Sequence, residues 1–99
     1  TGAPVAVPPE CDPGHVYHLF PVRSTARDAC QAHLKAAGIE TLIHYPIPIP
    51  DQPAFAALPP ASCAIARQVC GELLSLPLHP GLADADVARV AEAVHAFGG

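Results

Sequence analysis

The sequence predicts an α+β domain: a two-layer sandwich in which about three helices cover one face of a small, mainly antiparallel sheet of three to four strands. Three observations predict it. Short apolar runs alternate with segments whose apolar residues recur every three or four positions, in the order β-α-β-loop-α-β-α. The chain has 99 residues, enough for one domain with its own core. Hydrophobic residues make up 51% of it and charged residues 14%, the opposite of a disordered chain.

Residues 1–14 are rich in proline and small residues and read as an extended arm. Residues 15–23 carry apolar side chains on both faces and read as a strand, with Pro21 restricted to an edge or bulge because it has no N–H. Thr25 and Asp28 resemble a capping box. The helix that follows has a stripe of Ala26, Ala29, Cys30, His33, Leu34 and Ala37, and stops at Gly38. His33 on that stripe reads as a boundary residue or a satisfied core residue rather than a ligand. Residues 39–45 alternate as a second strand. From Pro46 to Pro53 every second or third residue is proline, which predicts a stiff extended loop with no helix. Ser62 can cap a helix with Ile65, Ala66, Val69 and Cys70 inward and Gly71 closing it. Residues 73–78 form a short buried strand. Asp84 and Asp86 favour the start of a last helix, with a stripe of Val87, Val90, Ala91, Val94 and Phe97 and an end at Gly98 and Gly99.

Composition excludes several classes. Five Lys and Arg and a net charge of −4 cannot neutralise many phosphates, so nucleic acid is not the expected partner. No apolar run approaches a membrane span, and with no secretory pattern the expected location is cytoplasmic. There is no methionine and the first residue is Thr1, which reads as a piece of a larger protein. A mean hydropathy of +0.29 fits a piece that keeps the apolar face of a lost neighbour. Three strands covered on one side only point the same way.

Few residues are candidates for chemistry. Ser24, Ser62 and Ser75 lack a nucleophile-elbow pattern, and the glycines are too sparse for a phosphate loop. The single lysine, Lys35, lies on a polar helix face and reads as solvated. Cys11, His15 and His18 have a metal-like spacing but lack a fourth ligand, and the two histidines of a strand three apart point to opposite faces. No metal and no disulfide is expected, with Cys11, Cys30, Cys63 and Cys70 all free. His44 and Tyr45 are the best candidates, because they end a strand and enter a rigid proline loop that fixes their direction. His44 can donate to a sugar hydroxyl or an anion. The segment Ser75-Leu76-Pro77-Leu78-His79-Pro80 is second, where Pro77 and Pro80 end a strand abruptly and the plain reading of His79 is a side chain exposed at the turn.

Four strings then carry a resemblance: HVYHLFPVR, RDACQAHLKAAGI, IHYPIPIPDQPAF and ELLSLPLHPGLADADVARVAEAVHAF. Together, from about Val7 to Phe97, they resemble the C-terminal part of sugar-nucleotide aminotransferases of the DegT/DnrJ/StrS type. The ordered set HxYH, HYPxPxxxQPA and LSLPLHPGL is specific, although each alone is weak. The resemblance implies the small domain of the aspartate aminotransferase fold over residues 15–99. It implies pyridoxal 5′-phosphate in the full-length protein, with the cofactor lysine and phosphate-binding residues in a large N-terminal domain and none in this piece. It implies amino transfer from glutamate to a keto-deoxysugar on a nucleoside diphosphate, with a homodimer when full length. It places His44, Tyr45 and Gln52 near the nucleotide-sugar substrate and assigns no catalytic residue here, so the piece alone is expected to be inactive. The chain departs from the family at Pro50, where histidine is frequent, at Arg67, where glutamate is usual, and at Ala83, where serine or threonine precedes the last helix. The alternative is a free-standing α+β binding or regulatory module without catalysis.

Overall fold

The computed structural model describes residues 5–59 and 62–98. Strands β1 (Phe20–Arg23) and β2 (Leu73–Leu76) pair antiparallel, with Phe20 opposite Leu76 and Arg23 opposite Leu73. The helices are α1 (Arg27–Ala36), α2 (Ala64–Glu72) and α3 (Asp84–Gly98). Single bridges extend the ladder on both sides. Ala6 and Arg23 exchange bonds of 2.7 and 3.0 Å, and Leu42 and Ser75 exchange bonds of 3.2 and 2.7 Å. The order across the sheet is therefore Ala6, β1, β2, Leu42, antiparallel throughout. The α+β class, the antiparallel sheet and the three helices hold, and the two outer members are bridges rather than strands.

The core is Val5, Val22, Cys30, Leu34, Ile39 and Leu74. Val22 and Leu74 are partners in register, so one face of the ladder meets α1 and α3. Alternation along β2 then turns Ser75 to the opposite face. Arg23 spends its N–H and C=O on Ala6, so period two puts the missing N–H of Pro21 on that same outer side, where no ladder bond is lost. On α3, Val90, Val94 and Phe97 pack on the core, while Val87 and Ala91 of the expected stripe stay exposed. His33 donates from Nε2 to the Ala93 carbonyl at 2.9 Å, and its half-buried ring lies tilted against Phe97 at 5.4 Å, so it is a satisfied residue at the core boundary.

Gly38 ends α1 by the expected route. Its φ is +80°, its N–H donates to Lys35 O, and the N–H of Ile39 donates to Leu34 O at 2.9 Å. That six-to-one bond is a Schellman motif, and Ile39 and Leu34 supply its apolar contact inside the core. Arg89 of α3 adds a cap, donating from Nη2 to Ala37 O and Gly38 O at 3.1 and 3.3 Å.

Several local expectations need correction. The strand over 15–23 starts only at Phe20, because Tyr17 has φ +49°, a left-handed backbone that no strand passes through. The strand over 39–45 survives only as the Leu42 bridge. The proline loop is not wholly extended: Ile49–Asp51 and Pro53–Phe55 are single 3₁₀ turns with proline in the first turn, where a missing N–H costs nothing. Neither the Thr25 nor the Ser62 side chain caps a helix; Ala26 and Cys63 occupy those positions. Helix α2 runs through Gly71 to Glu72 and passes directly into β2, and Ile65, expected inward, is 79% exposed. The last strand stops at Leu76, before Pro77. The arm is partly stitched to the sheet through Ala6, with Val5 buried. Its first four residues, and Pro60, Ala61 and Gly99, lie outside the described residues.

Candidate functional site

The site grows from the Leu42–Ser75 bridge. Those two residues hold the segment after Leu42 against β2, so His44 arrives two residues later beside the Ser75 side chain. His44 Nδ1 and Ser75 Oγ are 2.9 Å apart. Ser75 is buried at 5% exposure, and His44 is half-buried. The other ring nitrogen, Nε2, has no hydrogen-bond partner among the described residues. Both side chains, with His18, Glu40, Leu42 and Pro77, line a cleft of about 160 Å³.

Tyr45 follows across a cis peptide bond. Its ring meets the imidazole edge-on at 5.4 Å, and the residue is 66% exposed. The expected pair is thus brought together at the surface. Gln52 is not brought to it: its amide donates to Ile47 O at 2.9 Å, which ties the proline loop to itself. Arg67 of α2 clamps the same loop, donating from Nε and Nη2 to the two oxygens of Asp51, each at 2.7 Å. A bidentate guanidinium–carboxylate pair fixes direction as well as distance, and it holds the Asp51 carboxyl below its ordinary range. Arg67 therefore has a local role, which is to fasten the loop that follows His44.

Two participants were missed from sequence. Ser75 opens the second candidate segment and His18 closes the HxYH string, but neither carries a sequence signal of a contact at His44. The chain separation between Ser75 and His44 is 31 residues, and no local spacing signals that contact. Among the described residues no three His, Cys, Asp or Glu side chains gather into a group that could hold a metal ion. Cys11 instead leans on Pro9 O, and His15 Nδ1 accepts from the Tyr17 N–H at 2.8 Å. All four cysteines are free, and burial pushes the Cys30 thiol up from its ordinary pKa. His79 is exposed in its turn.

A broader groove of about 1230 Å³ runs between α1, residues 38–42 and α3, past Lys35, Glu40, Asp86 and Arg89. Arg89 is already spent there on backbone carbonyls. No helix among the described residues is long and apolar enough to cross a membrane.

An antiparallel ladder with helices packed on it is the α+β arrangement that the four strings imply. The family model described as the DegT/DnrJ/EryC1/StrS aminotransferase family matches residues 1–95, and the chain belongs to that family. The dTDP-3-amino-3,6-dideoxy-alpha-D-galactopyranose transaminase of Aneurinibacillus thermoaerophilus is 44% identical over 87 residues, 88% of this chain and 24% of that protein. The dTDP-3-amino-3,4,6-trideoxy-alpha-D-glucose transaminase of Streptomyces venezuelae is 44% identical over 95 residues, 94% of this chain and 24% of that protein. The crystal structure of S. venezuelae DesV, in complex with a ketimine intermediate, superposes with a TM-score of 0.86 at 40% identity, covering 98% of this chain and 27% of that one. The chain thus spans about a quarter of the length of these relatives.

The residues described here do not fit pyridoxal phosphate. Lys35 is exposed on α1. The four arginines are engaged: Arg23 with Glu72, Arg27 with Asp28 and Cys70 O, Arg67 with Asp51, and Arg89 with Ala37 O and Gly38 O. None of these builds a cradle for a phosphate beside an amine.

Proposed function

We propose that this chain is the C-terminal small domain of a pyridoxal-phosphate-dependent aminotransferase that moves an amino group from glutamate to a keto-deoxysugar carried on a nucleoside diphosphate. Residues 1–14 are its leading arm and residues 15–99 its domain. The cofactor lysine and phosphate site belong to a large N-terminal domain, so this piece alone is inactive. The full protein is a cytoplasmic homodimer. The nucleotide-sugar names of the relatives, and the small share of them that this chain covers, support the reading. Exposed apolar side chains such as Ile49 and Ile65 agree with a part that meets a neighbour.

One observation carries the role of His44: an imidazole anchored through Nδ1, with Nε2 unengaged, at the rim of a cleft. With the proton transfer assigned to the cofactor lysine of the large domain, His44 is left to orient the substrate. Tyr45 supplies an exposed aromatic face beside it. Gln52 acts one step back, by shaping the loop that Tyr45 enters.

The test is His44→Asn in the full-length enzyme, with the glutamate and nucleotide-sugar half-reactions followed separately by cofactor absorbance. Loss of one hydrogen bond to substrate costs about 0.5–1.5 kcal/mol, or ~3 if the partner is charged. That is a fall of roughly 2- to 150-fold in kcat/KM for the sugar half-reaction, and the glutamate half-reaction changes less. A thousandfold fall in both half-reactions would assign His44 chemistry common to both and overturn the positioning role.

A further inference from the structure

We propose that Ser75 is a positioning residue that fixes the tautomer of His44, so that His44 meets its substrate with a permanent Nε2–H donor. The proposal rests on the reading of His44 as a substrate contact and adds which atom acts, in which state, and what holds it there.

Proton accounting carries the argument. Ser75 is buried in β2, and its backbone is held by Leu42 on one side through bonds of 2.7 and 3.2 Å and by the partner strand on the other. Its hydroxyl has one partner among the described residues, His44 Nδ1 at 2.9 Å. A neutral imidazole carries one N–H and one lone pair. If Nδ1 carried the hydrogen, it would donate to Ser75 Oγ, and the hydroxyl hydrogen would be left buried without an acceptor. If the hydroxyl donates to Nδ1, both groups are satisfied and the hydrogen must lie on Nε2. Buried polar groups are overwhelmingly paired, so the second arrangement prevails. Nε2–H is then the one ring group left for a ligand, and it can only donate. The chemistry it selects is an acceptor oxygen of the nucleotide sugar: a hydroxyl, keto or phosphate oxygen, not an ammonium group.

The experiment uses the full-length protein labelled with ¹⁵N-histidine, at a pH where His44 is neutral and without substrate. The His44 signals are assigned by their loss in His44→Gln. The expected spectrum has an unprotonated Nδ1 and a protonated Nε2, and in Ser75→Ala the resonances move toward a mixture of tautomers. A wild-type Nδ1–H, or an unchanged tautomer in Ser75→Ala, overturns the proposal; the wild-type spectrum decides even where Ser75→Ala does not fold.

Kinetics provide the second arm. Glutamine places an amide N–H near the position of Nε2, and asparagine reaches only that of Nδ1, so His44→Gln retains more of the sugar half-reaction than His44→Asn. Ser75→Ala lowers kcat/KM for that half-reaction roughly 2- to 10-fold, the range for one neutral hydrogen bond. On a His44→Gln background the same change has no further effect. Losses that multiply overturn the coupling. If His44→Gln and His44→Asn both retain wild-type rates while the tautomer is as proposed, it is the substrate-contact reading that fails and not the assignment of Ser75.

Discussion

Arg23 and Glu72 show how single charged residues are used in this chain. Arg23 ends β1, and its Nε and Nη2 both donate to Glu72 Oε2, at 3.0 and 2.6 Å. Gln68 adds a third donor to the same carboxylate at 3.3 Å. These bonds hold the Glu72 carboxyl below its ordinary pKa of 4.5, with the Arg23 bond as the first cause and the Gln68 bond as the second. A depressed carboxylate pKa in the folded state means that the unfolded chain binds protons first as pH falls. The contribution is therefore complete above about pH 4.5 and is lost as pH falls through the lower folded value. Glu72→Gln is expected to lower the thermal midpoint at neutral pH, with the gap to wild type closing toward acid. Thermal unfolding followed from neutral to strongly acid pH checks this. A gap that stays constant with pH would mean that the substitution acts through shape and not charge. The Arg23 side of the pair is open to solvent, which screens it, so the effect is small but its sign is definite.

The joint between α1 and the segment after it depends on Gly38 at φ +80°. A left-handed backbone costs an L-residue with a Cβ about 1–2 kcal/mol. A Cβ at this position would also lie 3.0 Å from Arg89 Nη2, the group that caps Ala37 O and Gly38 O. Gly38→Ala should therefore destabilise by about 1–2 kcal/mol or more, and Gly38→Asn by less, since asparagine tolerates this conformation. Equilibrium denaturation of the two variants tests it, and equal losses would refute the backbone argument. This joint was legible in the sequence, because a glycine after the last apolar residue of a helical stripe has few other uses. So were α1 and α3, whose buried or half-buried residues recur at three and four. Strand limits were not legible. Residues 39–45 alternate as a strand does, yet pairing depends on what lies opposite, and only Leu42 faces a free ladder position on β2. Ile65 fits the helical stripe of α2 and is still exposed, because the stripe records a period and not the neighbour that would cover it. The candidate site divides in the same way. His44 and Tyr45 were marked by the prolines that follow them, whereas Ser75 depends on sheet register and left no local trace.

Across the molecule, the proposed placing of the cofactor lysine on a large N-terminal domain leads to a direct expectation. An amine that captures pyridoxal phosphate must be desolvated or held in a pocket, with a separate grip on the phosphate. The only lysine, Lys35, is exposed on α1 with its ammonium in water. It borders the broad groove beside Asp28, Glu40 and Asp86, whose charges repel a phosphate. The guanidinium on that groove, Arg89, already caps two carbonyls of the α1 terminus. The acidic border removes the electrostatic reason for the cofactor to dwell there. The isolated chain mixed with an equimolar amount of pyridoxal phosphate, reduced with borohydride and mapped by peptide mass should therefore carry no stoichiometric adduct at Lys35. The full-length protein under the same treatment should carry one adduct, on a lysine outside these 99 residues. A stoichiometric adduct at Lys35 in either protein would place the cofactor on this chain and overturn the assignment of its lysine to the large domain.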